Sequence, residues 1–256
     1  MSPKQTTSSI VEVENLNAAY RDPKGSLYVL QEISFAIRRG QFVCILGPSG
    51  AGKSTLLRIL AGLLLPDSGR AQLKGQLVKG PQPGVGMVFQ DANLMPWRTA
   101  LQNIALPFEL NGFTNGKARK RAQEVVSLVG LEGFEAALPD DLSGGMAQRV
   151  AIARALIQDP DILLMDEPFG SLDAITRERM GEELLRIWSL QHKTVLMVTH
   201  DINEAVYLAD RVIVLSERPA QIKLDLKINL PRPRRPSLRY TAAFGKLAAR
   251  LRAAIE

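Results

Sequence analysis

Brief apolar runs alternate with longer stretches of helical spacing along this chain. Gln41-Phe42-Val43-Cys44-Ile45-Leu46, Ile162-Leu163-Leu164-Met165 and Thr194-Val195-Leu196-Met197-Val198-Thr199 are nearly uninterrupted apolar runs, which predicts strands buried on both faces of a sheet. Residues 54–60 and 146–157 read as helices, the second having many alanines and no proline. From Gln90 to Ser143 the pattern changes from strands to helices. There, residues 103–110 and 117–129 carry helical spacing on either side of the turn Asn111-Gly112-Phe113-Thr114-Asn115-Gly116. The expected architecture is therefore an α/β core with a helical lobe, about residues 91–158, inserted into it.

The last 26 residues have their own pattern. After the breaker Pro231-Arg232-Pro233-Arg234-Arg235-Pro236, the apolar residues Tyr240, Phe244, Leu247, Leu251 and Ile255 recur at helical spacing, with Arg239, Lys246 and Arg250 on the other side. Two readings of this basic amphipathic tail stand open. Its apolar stripe docks on its own domain, or it meets anionic lipid or a partner.

Composition narrows the function classes. At 256 residues and 46% hydrophobic content, the chain has material for one α/β core, expected over 9–230, plus a smaller lobe. Cys44 is the only cysteine, so no internal disulfide forms and a reducing compartment is compatible. Residues 1–9 are polar and lack an apolar signal segment. The longest apolar stretch, 59–65, falls well short of the ~20 residues that cross a bilayer. The expectation is a protein of the cytoplasm that reaches a membrane only through partner chains. A formal net charge of +6 raises the question of nucleic acid. Residues 231–256, however, hold seven of the 32 basic residues and one of the 26 acidic ones, leaving 25 of each for the body. A neutral body argues against a nucleic-acid groove.

Candidate chemistry gathers in two glycine-rich turns. Gly47-Pro48-Ser49-Gly50-Ala51-Gly52-Lys53-Ser54 fits the G-x-x-x-x-G-K-[ST] pattern between a buried strand and a helix. Backbone N–H groups of such a turn close around phosphate oxygens at a helix N-terminus, which carries about half a positive charge. Lys53 then reaches the β and γ phosphates of ATP, and the Ser54 hydroxyl serves Mg²⁺. Thr55 follows in the same nucleotide-binding segment. Leu142-Ser143-Gly144-Gly145-Met146-Ala147-Gln148-Arg149 has the same logic, small residues opening a helix, but no lysine; Ser143, Gly144 and Gly145 make it a second anion-binding turn.

Two carboxylates emerge where the run 162–165 ends. Asp166 is placed to hold Mg²⁺ through water, and Glu167 to orient or deprotonate an attacking water, since phosphoryl transfer mainly needs positioning and charge neutralisation. An acidic pair after a strand also occurs as a solvated helix cap. His200, closing the run 194–199, is either a satisfied structural histidine or a group touching the γ phosphate.

The order of these pieces resembles the ATP-binding subunits of ABC transporters over nearly the whole chain. The matching residues are Gly47 to Ser54, Gln90, Leu142 to Arg149, Asp166-Glu167, Ser171-Leu172-Asp173 and His200. The resemblance implies a RecA-like P-loop NTPase core with an antiparallel β subdomain and an inserted α-helical lobe, acting as an ATPase. It implies that Gln90 links Mg²⁺ and the attacking water to a permease contact, and that Asp173 lies in a loop crossing a dimer interface. Tyr20 matches the aromatic that stacks on adenine, with a core position as the alternative. Met146 departs from the family's commonest form, which has glutamine there. The resemblance further implies a homodimer in which the signature turn of one subunit faces the phosphate loop of the other. Trp97 reads either as core of the lobe or as part of the surface that receives a permease helix.

Within the family, Leu94-Met95-Pro96-Trp97-Arg98-Thr99, 166–174, Leu215-Ser216-Glu217-Arg218-Pro219 and the tail are similar to the nitrate, sulfonate and taurine importers. These pair a permease dimer and two ATPase subunits with a solute-binding protein, which implies a place on the cytoplasmic face of the inner membrane. Importers of other small organic solutes remain the alternative, and a non-transport ABC ATPase is a third reading.

Overall fold

The computed structural model describes residues 9–22, 25–113 and 115–256. In chain order the elements are β1 (Ser9–Asp22), β2 (Gly25–Arg38), β3 (Phe42–Leu46), α1 (Lys53–Leu60), β4 (Ser68–Leu73), β5 (Gln76–Leu77), β6 (Val85–Val88), α2 (Ala100–Leu110), α3 (Asn115–Leu128), α4 (Gly144–Leu156), β7 (Ile162–Asp166), α5 (Ala174–Gln191), β8 (Thr194–Val198), α6 (Ile202–Leu208), β9 (Arg211–Leu215), β10 (Ile222–Lys227) and α7 (Ala242–Ile255). They divide into two compact units: residues up to Gln82 with Lys193–Glu256, and Pro83–His192.

In the first unit β3 lies between β8 and β9 and runs parallel to both, pairing Val43 with Leu196 on one side and Arg211 on the other. All five residues of β3 and all five of β8 are buried, as a strand covered on both faces requires. β10 adds an antiparallel edge to β9. A second sheet, in the order β2, β1, β4, β5, is antiparallel throughout. Alternation along β2 puts Ile33, Phe35 and Ile37 inside and leaves Glu32, Ser34 and Ala36 outside. The sheets are stitched where Ala220 donates its N–H to Val29 O (2.8 Å) and accepts from Gln31 N (2.9 Å).

The second unit holds the parallel pair β6 and β7 and helices α2 to α5. Helix α2 starts three residues before the sequence pattern suggested, because Thr99 caps it. The Thr99 hydroxyl accepts from Gln102 N, and the Gln102 side chain accepts from Thr99 N, a reciprocal capping box. Helix α3 spans nearly the predicted range. Asn103, fully buried on α2, accepts from Met95 N at 2.8 Å and donates to the carbonyls of Met95 and Arg98. This side chain thereby holds the loop before α2, which presents Trp97 at 73% exposure. Trp97 is thus not core of the lobe.

The tail docks on its own unit. Phe244 and Leu251 of α7 are buried and Leu247 is half-buried. Tyr240 departs from the expected stripe: it ends a 3-10 turn, Pro236–Tyr240, and is exposed, since α7 begins only after Thr241, whose hydroxyl caps it by accepting from Phe244 N. Arg239 departs too; its guanidinium stacks 3.9 Å over the Tyr207 ring instead of pointing to solvent.

Candidate functional site

The first unit carries the phosphate loop. β3 ends at Leu46 and α1 begins at Lys53, so the predicted strand–turn–helix is present, with the helix starting one residue early. Lys53 is buried, and its ammonium donates to the carbonyls of Gly47 (3.0 Å) and Pro48 (2.9 Å), which points it into the concavity of its own loop. Gly52, at the N-cap of α1, has φ 94 and ψ 12. A Cβ there would lie 2.5 Å from Val29 Cγ1 and 3.0 Å from Leu30 Cδ2 of β2. Left-handed backbone and close approach together make glycine the residue that fits. Gly52→Ala is expected to cost about 1–3 kcal/mol of stability through overpacking and to weaken ATP binding. Thermal unfolding and nucleotide titration check both.

Three other expected residues border this loop. The Tyr20 hydroxyl lies 3.1 Å from Thr55 Oγ1 in α1, and Tyr20 is 45% exposed, so it is not a core aromatic. β8 leads to His200 beside the loop: Thr199 N donates to Ile45 O (3.1 Å), one residue before β3 gives way to the phosphate turn. His200 is exposed, and Asp201 caps α6 by accepting from Asn203 N and Glu204 N. Ser49 and Gly50 are exposed and Ala51 is buried. Arg218, given no part in nucleotide binding from the sequence, lays its guanidinium within 3.4 to 3.8 Å of the position a Gly50 Cβ would take.

The second unit gathers the carboxylates and the signature turn. Asp166 ends β7 and is 8% exposed. Glu167 has φ 44, a left-handed backbone that a glutamate adopts at a cost of about 1–3 kcal/mol, and such strain concentrates at functional sites. Gln90 and Glu167 both lie close to Gly170. A Cβ on that glycine would lie 3.6 Å from Gln90 Nε2 and 3.7 Å from Glu167 Oε2. The loop bearing Gln90 is held from α4: Gln148 Nε2 donates to Phe89 O (3.3 Å), and the Arg154 guanidinium to Ala92 O and Asn93 O. Burial lowers the Arg154 pKa from its ordinary value. Sequence reasoning left Gln148 and Arg154 without a role, because nothing local connects them to a loop some 60 residues earlier.

Ser143 caps α4, accepting from Met146 N at 3.3 Å, so the helix opens at the signature, two residues earlier than the pattern suggested. The turn packs on the start of α5. A Cβ on Gly145 would meet Thr176 Cγ2 at 2.9 Å, and one on Gly144 would meet Leu172 Cδ2 at 3.4 Å. Asp173 caps α5, accepting from Ile175 N (3.1 Å) and Thr176 N (3.0 Å). Hydrogen bonds from Thr176 come first among the causes that lower its pKa. The expected residues thus fall into two groups: Tyr20, the phosphate loop, Thr55 and His200 in one unit, and Gln90, Ser143 to Gly145, Asp166, Glu167 and Asp173 in the other.

A glycine-rich turn between a buried parallel strand and a helix, with its lysine directed into the turn, defines a P-loop ATPase of RecA-like core. The chain belongs to the ABC transporter family, whose model matches residues 30–170. It is 49% identical over 221 residues to the nitrate import ATP-binding protein NrtD of Synechocystis sp., covering 86% of this chain and 83% of that protein. It is 42% identical over 224 residues to the aliphatic sulfonates import ATP-binding protein SsuB of Bacillus cereus, covering 88% of each. Among solved structures it is similar to the dimeric ATP-binding cassette MJ0796 in a post-hydrolysis state bound to ADP and Pi, with a TM-score of 0.76 and 35% identity over 86% of this chain and all of that one.

Proposed function

We propose that this ATPase is the nucleotide-binding subunit of an importer for a small solute of the nitrate, sulfonate or taurine type. The observation that carries the reading is the placement of Gln90 and a backbone-strained Glu167 beside Gly170, in a chain that aligns over most of its length with import ATP-binding proteins. In this reading residues 9–230 form the cassette, 91–158 its helical lobe and 231–256 the tail. Tyr20 and Thr55 border the adenosine, and Gly47 to Ser54 enclose the phosphates. Lys53 exchanges its loop carbonyls for β and γ phosphate oxygens. Glu167 accepts the proton of the attacking water, Gln90 orients that water, and His200 touches the γ phosphate.

The donor set suits Mg²⁺. Ser54 offers a hydroxyl, Gln90 a carboxamide oxygen and Asp166 a carboxylate, all hard oxygens of the kind that cation shares with phosphate and water. When bound it would neutralise phosphate charge. Two copies of the chain form a homodimer in which Ser143, Gly144 and Gly145 of one copy face the phosphate loop of the other and Asp173 lies along the contact. A permease dimer engages the lobe near Trp97, and a solute-binding protein delivers cargo. No helix among the described residues is long and apolar enough to cross a membrane, which accords with attachment through the permease at the cytoplasmic face of the inner membrane.

A strain lacking this chain is expected to stop growing on one of nitrate, taurine or an alkanesulfonate as sole nitrogen or sulfur source. The intact chain should restore growth and a Glu167→Gln chain should not. Unimpaired growth on all three would leave another organic solute or a non-transport role.

A further inference from the structure

Three of the basic tail's arginines, Arg232, Arg234 and Arg239, are spent inside the fold. Helix α6 has only seven residues, a length at which helices are marginal without tertiary support. Its last carbonyls have no partners within the helix, and the segment after β10 supplies them. Arg232 donates to Leu208 O at 2.7 Å. Arg234, 9% exposed, donates to Val206 O at 3.1 Å and to Ala209 O at 2.8 Å. Arg239 covers the ring of Tyr207, which is itself buried. Burial, and then the nearby Arg232, lower the Arg234 pKa to about 10, so it remains charged at neutral pH.

The same strap reaches the strand that leads to the phosphate loop. Arg232 Nε donates to Asp210 Oδ1 at 2.8 Å, and Asp210 Oδ2 accepts from Phe42 N at 2.9 Å, at the first residue of β3. Asp210 N donates to Phe42 O at 2.8 Å. One arginine therefore grips the end of α6 and, through one carboxylate, the start of β3. α6 begins two residues after His200, and Asp201 between them is its cap.

We propose that Arg232 and Arg234 are positioning residues, and that the tail segment is a clasp that fixes His200 relative to the phosphate loop by holding α6 and β3 together. The inference rests on the role given to His200 above. Without the two guanidiniums, the far end of a two-turn helix loses its carbonyl partners and frays toward its cap, so His200 samples more than one position. A displacement of about 1 Å costs a catalytic group on the order of 100-fold in rate.

The test replaces both arginines by methionine, which keeps an apolar stem of similar length. The Arg232→Met/Arg234→Met chain is expected to bind ATP normally and to hydrolyse it about 10- to 100-fold more slowly. On a His200→Ala background, the same pair should cause no further loss, because residues acting through one group are not additive. An equal loss on both backgrounds would overturn the proposal. The chain has two histidines, His192 and His200, so a His192→Gln chain assigns the imidazole proton resonances. Loss of the clasp should broaden or shift the His200 signal and leave that of His192 in place; an unmoved His200 signal would refute the inference. If His200→Ala hydrolyses ATP at the normal rate, the role given to His200 fails, and the resonance alone judges the clasp. If the double variant does not fold, Arg232→Met alone, at the half-exposed position, is read by the same signals.

Discussion

Glu167→Gln is expected to slow ATP turnover by roughly 10² to 10⁴-fold, the usual contribution of a general base, while the ATP-bound dimer accumulates. The substitution keeps the size of the side chain and its place beside Gly170, and removes only the capacity to accept a proton. Its backbone should remain at φ 44, because Pro168 and Phe169 are buried immediately after it and the Gly170 N–H donates to Glu167 O at 3.0 Å. Nucleotide affinity therefore stays and chemistry goes. Hydrolysis under single-turnover conditions, with size-exclusion chromatography in ATP, reads both quantities. Ordinary hydrolysis by the variant would remove Glu167 from the role of base.

Ser143→Arg should abolish turnover as completely, by a different route. Ser143 is exposed at the mouth of the signature turn, where its hydroxyl caps α4 by accepting from Met146 N. Losing that cap costs about 1 kcal/mol, too little to unfold the unit. The added guanidinium occupies the turn, and a phosphate presented by a second copy no longer fits. ATP binding by the monomer is expected to be unchanged, since the phosphate loop lies on the other unit of the same chain. Mixing Ser143→Arg with Lys53→Ala, each inactive alone, should restore activity, because one of the two composite sites then has both of its halves intact. Failure of the mixture to hydrolyse ATP, or loss of ATP binding by the Ser143→Arg monomer, would place the signature's action within its own chain.

The parts of this protein legible beforehand are those whose chemistry is contiguous. A phosphate loop needs a run of eight residues between a buried strand and a helix, and such a loop works through its local backbone, so the turn from Gly47 to Ser54 could be placed directly. The same holds for Asp166 and Glu167 at the end of β7 and for Ser143 at the start of α4, where strand ends and helix caps follow from short-range geometry. Boundaries moved by one to three residues where a side chain such as Thr99 supplied a cap that periodicity does not register.

Tertiary structure decided what depends on residues far apart in the chain. The contact of Tyr20 with Thr55, the placement of Gln90 and Glu167 beside Gly170, and the grip of Gln148 and Arg154 on the Gln90 loop join segments separated by 35 to 77 positions. Neither propensity nor spacing encodes such separations. Asn103 settled that Trp97 faces solvent, by satisfying the backbone of the loop that carries it. The tail gave no local sign of its use, since an arginine that caps a buried helix end and one that faces water look alike in a charge count. By itself the sequence determined the family, the nucleotide chemistry and the sites of both turns. Only the fold showed that Arg232 and Arg234 are bound to the carbonyls ending α6, because an unpaired backbone carbonyl finds its partner in three dimensions.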